Sequence, residues 1–318
     1  MDKKNKIIEK LLETDSGINS KYDCAVMFTG GKDSSYLLWA LKKIYKKNVL
    51  AITIDNGFED QYSQESAKRI CKILNVEQII VKEDKKLFAT FYKTMIEEHG
   101  VFEELYKGDN HVCQICSYII WCIAANVATE NDVPILVSGV DISQIDSLGI
   151  EFNEINEMTN KIISKAYRWA TSKTIKLFYK TYAYKTDVEF RKFIDNTLSY
   201  KGKVKTIFPF RFLDYNVDKI KEIITKEINF VPPVKGQSIN EYISSGCKII
   251  DALYDIEGLG LIDLNRKKYF EVLEDMGSLA NYNVVPKAIN IENEIFDELE
   301  IKDFIKNECI KANINIKK

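Results

Sequence analysis

A chain of 318 residues, 46% of them hydrophobic, can bury one large core and a smaller lobe, and no apolar run approaches the 18 residues of a membrane span. The near-neutral net charge of −2 accompanies an opening, MDKKNKIIEK, that does not read as a leader, so a soluble, cytoplasmic protein is expected. Seven Cys, an odd number scattered along the chain, argue against a disulfide framework, and two His, His99 and His111, leave no room for histidine-rich metal catalysis.

The first twenty residues are expected to contain a helix. An apolar strand-like run, Cys24 to Phe28, then leads through Thr29-Gly30-Gly31-Lys32-Asp33-Ser34-Ser35 into an apolar helical pattern at Tyr36, Leu37, Leu38, Ala40, Leu41 and Ile44. The glycines let backbone approach an anion, the helix start contributes unpaired N–H groups and a positive dipole end, and Ser34 and Ser35 add hydroxyls. A bound phosphate follows from this pattern. It is not a Walker A loop, because the glycines are adjacent and Asp, not Ser or Thr, follows the Lys.

A second apolar run, Val49 to Ile54, ends in Asp55-Asn56-Gly57, and a third, Pro134 to Ser138, runs into Gly139-Val140-Asp141. Between them lie a helical Tyr62 to Leu74, a strand-like Gln78 to Val81 and further helices. The alternation predicts an α/β fold with a doubly wound parallel sheet, Rossmann-like, whose strand ends bring Asp55, Gly139 and Asp141 to one crevice. After Asp141 helical periodicity dominates, over Glu154 to Ala170 and Val188 to Leu198, and a helical lobe over the sheet's carboxyl edge is expected. Ile207-Phe208-Pro209-Phe210, Asp214, Asn216 and a helical Val217 to Lys226 read as the last strand and helix. Pro232-Pro233 and Gly236 open a loop to Gly246-Cys247, and an acidic helical tail follows. The expected division is an N-terminal helix at 1–20, an α/β nucleotide-binding domain at 21–230 with a basic helical insertion at 150–205, and a Cys-containing loop with a C-terminal helical region at 231–318.

Between Lys161 and Lys205 stand ten Lys and two Arg against Asp187, Glu189 and Asp195, interleaved with Tyr167, Trp169, Phe178, Tyr179, Tyr182, Tyr184, Phe190, Phe193 and Tyr200. This suits RNA or an acidic carrier protein, and equally a solvated helix pair whose aromatics face inward. In His111-Val112-Cys113-Gln114-Ile115-Cys116, a Cys-x-x-Cys at a helix start brings two sulfurs to one side, where the dipole is expected to lower their pKa. Cys247, in a Ser-Ser-Gly-Cys loop, is the candidate third ligand. Three thiolates suit a [4Fe–4S] cluster with one open iron, or zinc with a fourth donor such as His111 or Cys122. A redox dithiol and an inert helix-start pair are the other readings of Cys113 and Cys116. Cys24, Cys71, Cys122 and Cys309 read as small buried hydrophobes.

The loop resembles the S-G-G-x-D-S signature of the PP-loop ATP pyrophosphatases, the adenine nucleotide alpha hydrolase superfamily, with Thr29 in place of the first Ser. The resemblance implies cleavage of ATP between the α and β phosphates and adenylation of a substrate. It assigns pyrophosphate contacts to Thr29, Gly30, Gly31, Ser34 and Ser35, catalytic roles to Lys32, Asp33 and Asp141 with Mg²⁺ near Asp33, and nucleotide contacts to Phe28, Ile54, Asp55 and Gly139. The Cys-x-x-Cys and distant Cys resemble the sulfur-inserting branch, which thiolates tRNA bases, and imply Cys113, Cys116 and Cys247 as ligands of a [4Fe–4S] cluster, with Zn²⁺ as the alternative. The sugar amidotransferases related to lipopolysaccharide synthesis share the loop and a mid-chain Cys-x-x-Cys, and take ammonia from a partner glutaminase; a non-catalytic nucleotide sensor is a further alternative. The expected partners are thus ATP, an acceptor that is tRNA, carrier-bound or a small molecule, and a sulfur-donor protein or a glutaminase, with no membrane and with a homodimer as a compatible assembly.

Overall fold

The computed structural model describes residues 3–13, 20–103, 105, 111–140, 156–198, 204–213, 215–232, 246–256, 259 and 288–317. A run of apolar residues buried on both faces belongs inside a parallel sheet, and Val49–Asp55 (β2) is such a run, with its first five residues buried. It lies between β1 (Cys24–Met27) and β3 (Glu77–Lys82), and β4 (Ile135–Val137) and β5 (Lys205–Ile207) complete a sheet of order β3-β2-β1-β4-β5. Every neighbouring pair is parallel. The chain winds outward from β1 in one direction and from β4 in the other, so the crevice of a doubly wound sheet opens between the carboxyl ends of these two strands.

Helices α1 (Lys3–Leu11), α2 (Lys32–Lys43) and α3 (Gln61–Leu74) cover one face. The other is covered by α4 (Lys85–Glu97), α5 (His99–Phe102), α6 (His111–Glu130), α7 (Glu157–Phe178), α8 (Tyr182–Thr186) and α9 (Val188–Leu198), after which α10 (Val217–Ile228) returns to the first face. Alternation along the strands divides the core accordingly. Cys24, Val26, Val49, Ala51 and Val137 meet Leu37, Ile70 and Ile224 on one side, while Ala25, Leu50, Ile52 and Leu136 meet Phe88, Ile119 and Ala124 on the other. Local signals fix the helix ends: the Asp60 carboxylate accepts from the Tyr62 N–H and Asn216 from the Lys219 N–H at the starts of α3 and α10, and both helices end on an Asn in the left-handed region, Asn75 and Asn229.

By length and composition α6 could cross a membrane, yet it packs on β1, β2 and β4 and on α4, α7 and α9, as expected of a helix apolar on every side inside a core. The helices after β4 differ from the expected lobe over the carboxyl edge. They pack on α4 and α6, and α7 also on β5, because Ile163, Tyr167, Phe178, Phe190 and Ile194 join the same core. The last strand stops at Ile207, ahead of Pro209, which has no N–H for a ladder and opens a 3-10 turn, Pro209–Arg211.

The tail is not wholly helical. After α11 (Lys248–Ile256) come β6 (Ala288–Asn290), α12 (Glu294–Glu298), α13 (Lys302–Ala312) and β7 (Asn315–Lys317), and the two strands pair in parallel. Three-residue strands are too short to show a period of two in sequence. Asp141, Tyr200, Gly202, Asp214, Pro233 and Gly236 lie outside the described residues.

Candidate functional site

The turn after β1 sits at the switch crevice and is knitted from its own residues. Ser34 Oγ lies 3.2 Å from Thr29 Oγ1 and donates to the Gly31 carbonyl at 3.3 Å, while the Gly31 N–H donates to Thr29 Oγ1 at 3.3 Å. Gly30 has φ +78°, and a Cβ there would stand 2.9 Å from the Ser63 carbonyl oxygen of α3, so only glycine fits. Gly31 caps α2 without any side chain, which leaves the helix start to an external acceptor. Ser35 Oγ is buried with no hydrogen-bond partner, as a hydroxyl awaiting a phosphate oxygen would be. The loop therefore fits a nucleotide phosphate. Gly139 lies beside it, but a Cβ at this position would meet Ser34 at an ordinary 3.8 Å, so no protein atom requires glycine there.

Lys32 and Asp33 form a pair that sequence reading leaves incomplete. Lys32 Nζ donates to Asp33 Oδ2 at 2.6 Å and to the Tyr215 hydroxyl at 2.9 Å, and that hydroxyl donates to Asp33 Oδ1 at 2.8 Å. Both carboxylate oxygens of Asp33 thus already have a partner. Lys221 of α10 is also buried; desolvation holds its pKa below the ordinary lysine value, and its field reaches Lys32 and Asp33. Tyr215 and Lys221 enter the site because α10 packs on α2, a contact between segments far apart in sequence.

Beside the loop a small recess of about 50 Å³ is lined by Phe28, Thr29, Ile52, Ile54, Glu59, Ser63, Gln64, Ile120 and Ala124 among others. Its lining is mainly apolar with a few polar groups, the kind of lining small-molecule sites have. Two of its polar groups are satisfied internally: Thr53 Oγ1 donates to the Phe28 carbonyl and Ser63 Oγ to the Thr29 carbonyl. Asp55 Oδ1 accepts from the Gly57 N–H and so shapes the turn after β2, where Gly57 has φ +82°. Glu59 differs, because its Oε2 is closed off from solvent with no partner. Burial, then the charges of Asp55 and Asp60, push its pKa up to about 7.

All three candidate cysteines come to this end of the sheet. α6 leads into β4 and so begins at the carboxyl edge, carrying Cys113 and Cys116. The Gly246–Cys247 loop is clipped to the chain after β2 by the Asp60 N–H on the Gly246 carbonyl (2.9 Å) and the Lys248 N–H on the Phe58 carbonyl (3.0 Å), which pairs Cys247 with Glu59. The Cys247 thiol feels the charges of Glu59, Cys116 and Cys113. The Tyr92 hydroxyl lies 3.1 Å from Cys116 Sγ and accepts from Asn56 Nδ2 at 3.1 Å. Burial pushes the Cys116 thiol up to about 12 and Cys247 well above the ordinary value, which reverses the lowered pKa expected from the helix start. Desolvation outweighs the dipole here.

Among the described residues no three His, Cys, Asp or Glu side chains stand close enough to hold one metal ion. Around a single zinc, thiolate sulfurs crowd to within about 4 Å of one another, given Zn–S bonds of about 2.3 Å. The proposed fourth zinc donors are engaged elsewhere: His111 stacks on Phe102 with its Nε2 2.9 Å from the Met95 carbonyl oxygen, and Cys122 is fully buried among core residues. Cys24, Cys71 and Cys309 are buried as well. All seven cysteines are free thiols.

The basic aromatic stretch divides between core and surface. Tyr167, Phe178, Phe190 and Phe193 face inward, whereas Trp169, Tyr179 and Tyr182 are exposed, with Lys173 Nζ 5.6 Å from the Trp169 ring.

Residues 23–177, just under half of the chain, match the family model described as queuosine biosynthesis protein QueC. A curated relative, the uncharacterized protein MJ1599 of Methanocaldococcus jannaschii, is 29% identical over 119 residues, which are 37% of this chain and 38% of that protein. The match thus spans well under half of the relative's length. Among solved structures, the U34-tRNA thiolase NcsA from Methanococcus maripaludis with its [4Fe-4S] cluster is similar at 18% identity and TM-score 0.39, over 86% of this chain and 77% of that one. A predicted subunit of tRNA methyltransferase from Methanocaldococcus jannaschii is similar at 17% identity and TM-score 0.35, over 64% and 75%. The NH3-dependent NAD synthetase from Campylobacter jejuni gives 15% and 0.30, over 62% and 94%. Its phosphate loop at the switch point of this sheet, and the match of residues 23–177 to that family model, make the chain similar to the PP-loop, adenine nucleotide alpha hydrolase-like proteins.

Proposed function

We propose that the chain is an ATP-dependent enzyme that adenylates a carbonyl or carboxylate oxygen of an acceptor and then replaces AMP with sulfur, leaving a thiocarbonyl. The observation that carries this reading is the position of Glu59, which lines the recess at Thr29 and shares its field with Cys116 and Cys247. An acceptor held there reaches the phosphate loop on one side and the thiols on the other.

In this reading Thr29, Gly30, Gly31, Ser34 and Ser35 hold the phosphates, and Lys32 and Lys221 offset charge on the departing pyrophosphate. Asp33 orients Lys32, and its carboxylate would hold Mg²⁺, which would supply charge neutralisation at the phosphates. Asp55, Ile54 and Phe28 flank the nucleoside; Asp141, outside the described residues, is kept as the second acidic group. Cys113, Cys116 and Cys247 would hold the cluster, which when bound leaves one iron without a protein ligand as a place for external sulfide. Tyr92 supports Cys116 with its hydroxyl. Exposed Trp169, Tyr179 and Tyr182 among lysines favour tRNA as the acceptor, since such surfaces combine phosphate attraction with stacking.

Anaerobic purification followed by iron and acid-labile sulfide analysis, with AMP and pyrophosphate measured in the presence of tRNA, tests the proposal. Four irons per chain, lost in Cys247→Ala, are expected together with RNA-dependent AMP. Zinc without iron, or iron unchanged in Cys247→Ala, overturns the sulfur step. A second reading, nitrogen transfer from ammonia, draws on the high pKa of Cys116 and Cys247, which leaves these thiols protonated at neutral pH. AMP formation that needs ammonium and persists in cluster-free protein would establish it instead.

A further inference from the structure

Every hydrogen bond at Lys32 has a fixed direction. An ammonium group only donates, and Lys32 Nζ gives one N–H to Asp33 Oδ2 at 2.6 Å and another to the Tyr215 hydroxyl at 2.9 Å. The hydroxyl has a single proton, which goes to Asp33 Oδ1 at 2.8 Å. The three groups close a ring in which Tyr215 keeps the ammonium on one carboxylate oxygen by occupying the other. With two of the three N–H directions set, the third is set as well, and among the described residues no acceptor meets it. Lys32 is only 6% exposed, so that donor is largely withdrawn from water. Ser35 Oγ, in the same first turn of α2, is buried and likewise has no partner. Two unspent donors in one helix turn suit an anion that offers several oxygens.

Tyr215 is itself held in place. Its ring meets Phe210 edge-on, with centroids 4.9 Å apart at 82°, and Phe210 stacks on Tyr36 of α2 at 6.3 Å. Lys32 Nζ also lies 5.5 Å from the centre of the Tyr215 ring. We propose that Tyr215 is a positioning residue: it aims the third N–H of Lys32 at the pyrophosphate portion of the nucleotide, so that the segment before α10 sets how tightly the phosphate loop holds that group. This rests on the adenylation reading and deepens it, because it separates pyrophosphate from AMP, whose single phosphate the loop amides and hydroxyls hold without Lys32. In the absence of the Tyr215 hydroxyl, the ammonium settles across both Asp33 oxygens and its remaining N–H turns elsewhere.

The test is calorimetric titration of the purified full chain with inorganic pyrophosphate and with AMP in metal-free buffer, where protein groups alone hold the ligand. Tyr215→Phe keeps the ring packing and removes only the hydroxyl, and circular dichroism checks the fold. This variant should bind pyrophosphate about tenfold more weakly, the worth of a hydrogen bond to a charged group, and AMP as well as wild type does. Lys32→Met should weaken pyrophosphate at least as much, and adding Tyr215→Phe to it should cost nothing further, because the hydroxyl acts through Lys32. Unchanged pyrophosphate affinity in Tyr215→Phe, additive losses in the double variant, or wild type that takes AMP but no pyrophosphate overturns the proposal. Equal weakening of both ligands also overturns it, since a hydroxyl that only supports the fold would move them together. A wild type that binds neither ligand, nor ATP, would remove the adenylation reading itself.

Discussion

Asp33 and Glu59 are two carboxylates within one site whose environments oppose each other. Asp33 has both oxygens engaged, by Lys32 and Tyr215, and a neutral amide in its place would leave a buried ammonium without its counter-charge. Asp33→Asn is therefore expected to lower stability by about 1–3 kcal/mol in urea unfolding, as well as to stop AMP formation, since truncating one partner of a largely buried pair costs more than losing an exposed one. Glu59 is the reverse case. Its folded pKa of about 7 lies above the unfolded value, so the folded state binds the extra proton and stability falls as pH rises from the ordinary glutamate range through 7. Glu59→Gln should flatten that slope and gain about 1–3 kcal/mol at pH 8 relative to wild type, measured as the difference in urea midpoints between pH 5 and pH 8. An unchanged slope would show that the carboxylate is solvated.

At the scale of elements, the Gly246–Cys247 clip makes the thiol arrangement depend on two main-chain hydrogen bonds to the segment after β2. Gly246 has φ +77°, where a side chain adds about 1–2 kcal/mol of strain. Gly246→Ala should reduce iron per chain severalfold while far-UV circular dichroism stays the same; full iron content would mean the clip does not set the position of Cys247. These elements also mark what sequence could and could not reveal. β1, the loop from Thr29 to Ser35, α2, β2 and α3 each carry a local signal, an unbroken apolar run, a Gly-Gly turn or an Asp cap, and lie within a residue or two of expectation, α2 excepted in starting at Lys32 itself. Tyr215 and Lys221 reach the loop only because α10 packs on α2, and Glu59 reads in sequence as part of a polar turn. No spacing rule reports either. The raised pKa of Cys116 departs from the helix-start expectation for the same reason, because helix position is local and burial is not.

For the molecule as a whole, the charge pattern concentrates on the outer helices of one face. Where tRNA is the acceptor, its affinity should fall linearly in logarithmic salt, and replacing Lys165 and Lys173 with Gln should reduce the slope by roughly 1.4–1.8, from about 0.7–0.9 per phosphate contact, without changing ATP affinity. A slope identical to wild type would remove α7 from the docking face. The five-stranded sheet with helices on both sides serves this arrangement by holding phosphate loop, recess and thiols at one edge, while α7 and α8 extend along a face.

The clip between Glu59 and Cys247 has a temporal meaning as well. Everything needed for the phosphate loop and the recess, apart from Tyr215 and Lys221, is made before β4 leaves the ribosome, since the lining ends at Ala124. The third thiol comes off last, after the five strands of the sheet are complete. During synthesis, at about 5–20 residues per second, there is an interval in which a nascent chain has most of its nucleotide cradle but no closed thiol set. The order of the sequence itself thus keeps Cys247 out of unfinished chains.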